Sequence, residues 1–282
     1  MTRSERATRQ QRIAAEMHVT ATFDAAQEIE RRVTFLAEYL RTSGLKTYVL
    51  GISGGIDSTT AGRLAQLAVE RLRAGGYDAH FVAMRLPYGQ QHDEADAQRS
   101  LEFIRADENL AVDIKPAADA MLAAITAGGA NFVDHSQQDF VHGNIKARQR
   151  MIAQYAVASA RVGVVIGTDH AAESVMGFFT KFGDGGADVL PLTGLNKRRV
   201  RAVARELGAL DALVHKVPTA DLEMLRPQRP DEDAYGIRYD DIDDFLEGKP
   251  VSDAVADTVL RFYDATRHKR ALPYTLFDWP TE

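Results

Sequence analysis

The sequence predicts an α/β protein, a doubly wound, mainly parallel sheet with helices on both faces. Three observations carry that prediction. Short apolar runs alternate with stretches of helical period along most of the chain, the pattern of a parallel sheet covered on both sides. The run "YVLGISGGIDS" (Tyr48 to Ser58) delivers an apolar strand through two adjacent glycines straight into a helix, as a βα unit of such a sheet does. The length of 282 residues suits a single domain with one large core, and we read 1–282 as one unit.

Each element follows from its local pattern. The first 19 or so residues, with four arginines in "MTRSERATRQQR", read as a flexible arm, because no apolar stretch follows the charges. Thr20 to Ser43 places Phe23, Ala26, Ile29, Val33, Leu36 and Leu40 at steps of three and four, which predicts an amphipathic helix stopped at Gly44. Thr47 to Ser53 is a short buried strand, and Asp57 to about Ala74 the helix after it, ended by Gly75 and Gly76. A strand over Asp78 to Leu86, a polar helix from about Asp93 to Arg105, a strand over "NLAVDIK" and a helix beginning near Pro116 come next. A long helix from Asp139 to Ala160 leads into the strand Val162 to Thr168, then a glycine-rich loop (Phe178 to Asp188) and a helix over "NKRRVRAVARELG". The stretch 217–233 holds Pro218, Pro227 and Pro230 among charged residues and predicts a mobile lid rather than a simple connection.

Composition narrows the chemistry. Apolar residues make up 45% and charged residues 26%, as in soluble globular proteins. A net charge of −6 and a pI near 5.8 argue against a nucleic-acid-coating surface. The chain has no cysteine, which excludes disulfides, thiolate metal sites and a cysteine nucleophile. No apolar run approaches the length of a membrane span, so the expectation is a cytoplasmic protein with neither membrane nor nucleic-acid partner.

The glycine turn is the main chemical signal. A strand feeding a helix N-terminus collects unpaired backbone N–H groups at one point, which suits an anion. The turn lacks the lysine of a Walker A loop and the spacing of a dinucleotide fingerprint. It offers the backbone of Gly54 and Gly55, the hydroxyls of Ser53 and Ser58 and the carboxylate of Asp57. A pyrophosphate bridged to Asp57 by Mg²⁺ would fit. A plain glycine turn with Asp57 or Ser58 capping the helix is the competing reading.

"SGGIDS" resembles the signature of the adenine-nucleotide alpha hydrolases, or N-type ATP pyrophosphatases, whose fold is Rossmann-like. Together with "RLPYG", "GTDHAAE", "GFFTKFGDGG", "LNK", "PTADLE", "RPDE" and "YDDIDDFLEGK" it is similar to the ammonia-dependent NAD⁺ synthetases of bacteria, over roughly Thr47 to Trp279. The resemblance implies a two-step reaction, in which ATP adenylates the carboxylate of deamido-NAD⁺ with release of pyrophosphate, and ammonia then displaces AMP. It implies Mg²⁺ as cofactor, held by Asp57 and Glu173, and an ATP site made of Gly51, Ile52, Ser53, Gly54, Gly55, Ile56, Asp57, Ser58, Arg85, Thr168, Lys197 and Thr219. By the same resemblance Arg148, Lys181, Asp188, His268 and Lys269 hold deamido-NAD⁺, and Asp57, Lys197 and Asp188 form the catalytic set. Some alternatives stay open: Arg85 as a solvated arginine, "RHKR" as charge compensation at a helix end, and Phe178, Phe179 or Phe182 as core plugs rather than base-stacking rings.

Glutamine-dependent relatives carry a glutaminase domain with a cysteine nucleophile, so free ammonia is the expected nitrogen source here. The resemblance also implies a homodimer with the dinucleotide at the interface, and the two long helices carry apolar surface to spare. Two other readings compete: a tRNA-modifying enzyme of the same superfamily, disfavoured by the acidic, cysteine-free composition, and a non-catalytic adenine-nucleotide sensor, which would have little use for Glu173, Lys181 and Lys197 together.

Overall fold

A computed structural model describes residues 2–89, 94–219, 222–271 and 273–277. Asp93, the expected start of the polar helix, and Ala220 and Asp221 of the expected lid lie outside these described residues. The chain runs α1 (Arg3–Glu16), α2 (Ala25–Ser43), β1 (Thr47–Gly51), α3 (Ile56–Ala74), β2 (His80–Arg85), α4 (Glu94–Ile104), β3 (Glu108–Ala111), α5 (Lys115–Ala127), α6 (His135–Ala160), β4 (Gly163–Val165) and α7 (Ala171–Met176). There follow α8 (Lys197–Glu206), α9 (Asp211–Val214), α10 (Asp231–Tyr235), α11 (Tyr239–Leu246), α12 (Asp253–Ala265) and α13 (Arg267–Arg270).

All strand pairs are parallel, in the order β3-β2-β1-β4. Successive strand residues point to opposite faces, and the two cores divide accordingly. Tyr48 and Leu50 of β1, Phe81 and Ala83 of β2 and Val164 of β4 join α2, α3 and α8 in one cluster. Val49, Val82, Met84 and Val165 face the other way, toward Ile114 and the end of α6 at Ala158. The doubly wound arrangement expected from the sequence is therefore present. β1 and β4 lie side by side and parallel, so the turn after β1 and the loop after β4 open beyond the same carboxyl end of the sheet, the usual ligand position in open α/β sheets.

Several boundaries differ from expectation for local reasons. α2 starts at Ala25 rather than Thr20, because the Asp24 side chain accepts the Gln27 N–H and caps the helix there. α6 starts four residues before Asp139, capped by Asp134 through Gln137 N. β4 is three residues long, after which Ile166 bridges Val189 in place of a further strand residue.

The expected flexible arm is corrected. Residues 3–16 form α1, opened by a capping box between Thr2 and Glu5. Ile13 is fully buried in a second core with Val175 and Met176 of α7, Tyr239, Ile242 and Phe245 of α11 and Val259 and Leu260 of α12. The helical period was masked because thirteen polar or small residues surround that one deep anchor, and its partners lie more than 150 residues away. This second core abuts the sheet domain through α7, α8 and α11 and completes one wall of the cleft.

Candidate active site

The glycine turn has the geometry of an anion cradle. Gly54 takes a φ of +84°, and a Cβ there would lie 2.9 Å from the backbone nitrogen of Ala97 in α4, so both conformation and space demand glycine. Gly55 is the N-cap of α3 and provides no side-chain cap, which leaves the first amides of the helix for a ligand. Ser53 and Ser58 brace the loop: their hydroxyls lie 3.1 Å apart, Gly55 N donates to Ser53 Oγ at 3.1 Å and Ser58 Oγ donates to Gly55 O at 3.1 Å. Neither Asp57 nor Ser58 caps α3, so the competing reading of the turn is not the arrangement found.

Behind the cradle stands a compact charged group. Lys197, the first residue of α8 and 1% exposed, donates from Nζ to Asp57 Oδ2 at 2.7 Å. Asp57 Oδ1 is buried without a hydrogen-bond partner. His170 caps α7 by accepting the Glu173 N–H on Nδ1 at 3.4 Å. Its Nε2 lies 3.5 Å from both Lys197 Nζ and Asp57 Oδ1 and 3.6 Å from Glu173 Oε2. One donor atom each from Asp57, His170 and Glu173 lies within 4.8 Å of the other two.

The electrostatics follow from burial and neighbours. Burial pushes the His170 imidazole down to about 3, so the ring is neutral. Burial, then the Asp57 charge, pushes the Glu173 carboxyl well above its ordinary value. Burial alone would raise Asp57, but the Lys197 ammonium overrides it and holds the carboxyl below its ordinary value. For Lys197 the Asp57 and Glu173 charges outweigh burial and raise the ammonium. An orphaned buried carboxylate oxygen beside a carboxyl that burial and the Asp57 charge keep from ionising is a donor set that a hard dication suits.

A cleft of about 440 Å³ opens over this group. Of the sequence-selected ATP residues, Gly51, Ile52, Ser53, Gly55, Ile56, Asp57, Ser58, Thr168, Lys197 and Thr219 line it, and so does Glu173. Gly54 sits beneath the turn against α4. Arg85 is not in the lining; it is 6% exposed and paired with Glu94 at 2.8 Å, so it is not a solvated arginine either.

The dinucleotide set divides. Lys269 lines the cleft, its Nζ donating to Gly177 O and Phe179 O at 2.8 Å each. Arg148, Lys181 and His268 form a chain next to it: Arg148 Nη2 donates to Lys181 O at 3.2 Å and Lys181 Nζ to His268 O at 2.6 Å. Asp188 stands apart, accepting from Val165 N at 2.8 Å and Tyr155 Oη at 3.2 Å, and thereby ties the glycine-rich loop to β4. Phe178 and Phe179 reach the cleft, Phe178 packing edge-on against Tyr235 at 4.7 Å, whereas Phe182 is 55% exposed.

Sequence reasoning passed over His170, Gln154 and Asp231. His170 lies inside "GTDHAAE", so that motif was the available signal for it. Gln154 holds the turn open by accepting Gly51 N at 2.7 Å, and nothing in a helix at that distance along the chain signals it. Asp231 lines the cleft and accepts the Tyr239 hydroxyl proton at 3.0 Å; its "RPDE" context was the available signal.

A family model described as NAD synthase matches residues 28–273. The chain is 79% identical, over all of its length and 99% of the relative's, to an NH3-dependent NAD⁺ synthetase of Paraburkholderia phytofirmans. It is 78% identical over 280 residues, 99% of both chains, to an NH3-dependent NAD⁺ synthetase of Burkholderia pseudomallei. A crystal structure of NAD⁺ synthetase from Burkholderia pseudomallei matches 95% of the chain and 98% of its own with a TM-score of 0.83 and 76% identity. A structure of NMN synthetase from Francisella tularensis matches 90% of the chain and 99% of its own with a TM-score of 0.78 at 34% identity.

Proposed function

The chain belongs to the NAD synthase family, and we infer that it makes NAD⁺ by amidating deamido-NAD⁺ with ammonia at the expense of ATP, the last step of NAD⁺ biosynthesis. The observation that supports a role in adenylation is the convergence of the Ser53 to Ser58 turn, Asp57, Glu173 and Lys197 on one cleft. The RNA-modifying and sensor readings are not favoured.

The nicotinate oxygen is a poor leaving group until it carries AMP. The turn amides and the α3 N-terminus receive the phosphates of ATP, and Lys197 shares its proton-rich Nζ between Asp57 and the phosphate charge. Thr168 and Thr219 hold the nucleotide from the β4 side and from the lid side. Mg²⁺ would be held by Asp57 and Glu173, where it supplies charge neutralisation at the phosphates. His170, neutral, stands between the two carboxylates, its Nε2 3.5 Å from Asp57 Oδ1 and 3.6 Å from Glu173 Oε2. Lys269, with Arg148 and Lys181 beside it, presents positive charge to the deamido-NAD⁺ phosphates, while the His268 carbonyl holds Lys181 and Asp188 ties the glycine-rich loop to β4. Water must be kept from the acyl-adenylate, a role for the segment 217–233.

We further propose a cytoplasmic homodimer with the dinucleotide at the interface. Phe140, which also lines the cleft, and Ile152 on α6 are 59% and 51% exposed, apolar surface that a partner subunit would cover. Among the described residues no helix is long and apolar enough to cross a membrane.

The test is product analysis. With ATP, Mg²⁺ and ammonium, AMP, pyrophosphate and NAD⁺ should form together with deamido-NAD⁺ as acceptor. Faster turnover of nicotinate mononucleotide would instead put the substrate preference with the Francisella protein.

A further inference from the structure

The stretch "YDDIDDFLEGK" (Tyr239 to Lys249) carries part of the family resemblance but none of the chemistry assigned above. It forms α11 and the turn after it, packed across the start of α8. Asp243, 1% exposed, accepts the backbone N–H of Lys197 on Oδ1 at 3.0 Å and that of Arg198 on Oδ2 at 2.7 Å. Glu247 holds the same helix end, accepting Asn196 Nδ2 at 2.8 Å and Arg198 Nη1 at 3.0 Å. One turn back, the Tyr239 ring lies 5.0 Å from Lys197 Nζ.

This arrangement answers a difficulty in the site. A buried lysine at the first position of a helix meets the positive end of the macrodipole, and its four-carbon stem leaves Nζ free to swing. A carboxylate bonded to the first two amides of α8 neutralises that end and pins the Lys197 backbone, while the Tyr239 ring limits the sweep of the stem. Asp243 itself does not line the cleft.

We propose that Asp243 is the positioning residue for Lys197: by holding the first two amides of α8 it sets where Nζ stands relative to Asp57 and the phosphate turn. The inference rests on the reading of Lys197 as a phosphate ligand.

A double-variant cycle tests it, with binding of Mg²⁺ and α,β-methylene-ATP measured by calorimetry on the full chain and folding checked by near-UV circular dichroism. Lys197→Met should weaken binding by about tenfold or more. Asp243→Asn should weaken it by a comparable factor in the otherwise native protein, and by less than about twofold in the Lys197→Met background. If Lys197→Met binds normally, the reading of Lys197 is wrong. If Lys197→Met is impaired but Asp243→Asn binds normally, or weakens binding by the same factor in both backgrounds, Asp243 acts on the fold and not through Lys197. Should Asp243→Asn fail to fold, Glu247→Gln loosens the same helix end through Asn196, and the same equal-factor result overturns the proposal.

Discussion

At the scale of single residues the site depends on a few atoms whose partners are buried. Asp57→Asn removes a negative oxygen that faces Glu173 and His170, yet leaves a side chain of the same volume on a partly exposed first helical turn. Pyrophosphate release should fall by at least about a hundredfold, and the melting temperature should fall as well because the buried Lys197 ammonium loses its counter-charge; near-normal turnover at saturating Mg²⁺ would remove Asp57 from the metal site. Glu173→Gln should match it, and the double variant should lose little more, since two ligands of one ion do not add independently. Gly54→Ala should be structural in origin, because a φ of +84° and a contact of 2.9 Å to Ala97 N both oppose a Cβ. A loss of about 1–3 kcal/mol in urea unfolding is expected, and an unchanged midpoint would mean that the turn can relax. The glycine of this turn was legible because local geometry requires it, and the aspartate because it stands within "SGGIDS". His170 was not, because its effect depends on carboxylates brought from α3 and α7.

At the scale of elements, the described residues of the segment 217–233 meet the rest of the protein at two places. Lys146 donates to Leu222 O at 2.9 Å and Asp139 accepts the N–H groups of Met224 and Leu225 at 2.8 Å each, while Asp231 and Glu232 at the far end accept from the Tyr239 hydroxyl and N–H. Val217, Met224 and Leu225 remain about 60% exposed. Such a segment opens at low cost. Hydrogen exchange over 217–219 and 222–233 should slow when ATP, Mg²⁺ and deamido-NAD⁺ are added, whereas equal exchange would make Thr219 part of a preformed site. Asp139→Ala should speed exchange at Met224 and Leu225 and raise the KM for ATP several-fold. The prolines announced this segment in the sequence, but its seat on α6 could not be read there, because Asp139 and Lys146 lie about 80 residues before their partners and look like ordinary helix charges.

For the whole molecule, the absence of cysteine and the exposed face of α6 each lead to a measurement. Ammonium should support NAD⁺ formation and glutamine alone should not, since no thiol is present to open an amide; efficient use of glutamine by the purified chain would overturn that. Sedimentation should give a dimer that Phe140→Asp or Ile152→Asp shifts toward monomer, and a monomeric native chain would leave the α6 face without its proposed partner. The doubly wound sheet, the helices that cover it from α2 to α6 with α8, and the phosphate turn were determined by the sequence itself, because alternation of period, glycine pairs and capping residues act over a few positions. Only the tertiary structure decided that α1 is a packed helix, that Arg85 is committed to Glu94, that Asp188 braces β4, and that α11 grips the start of α8. Each of these rests on contacts between residues far apart in the chain, and their energies depend on burial and partner charge, which local pattern does not encode.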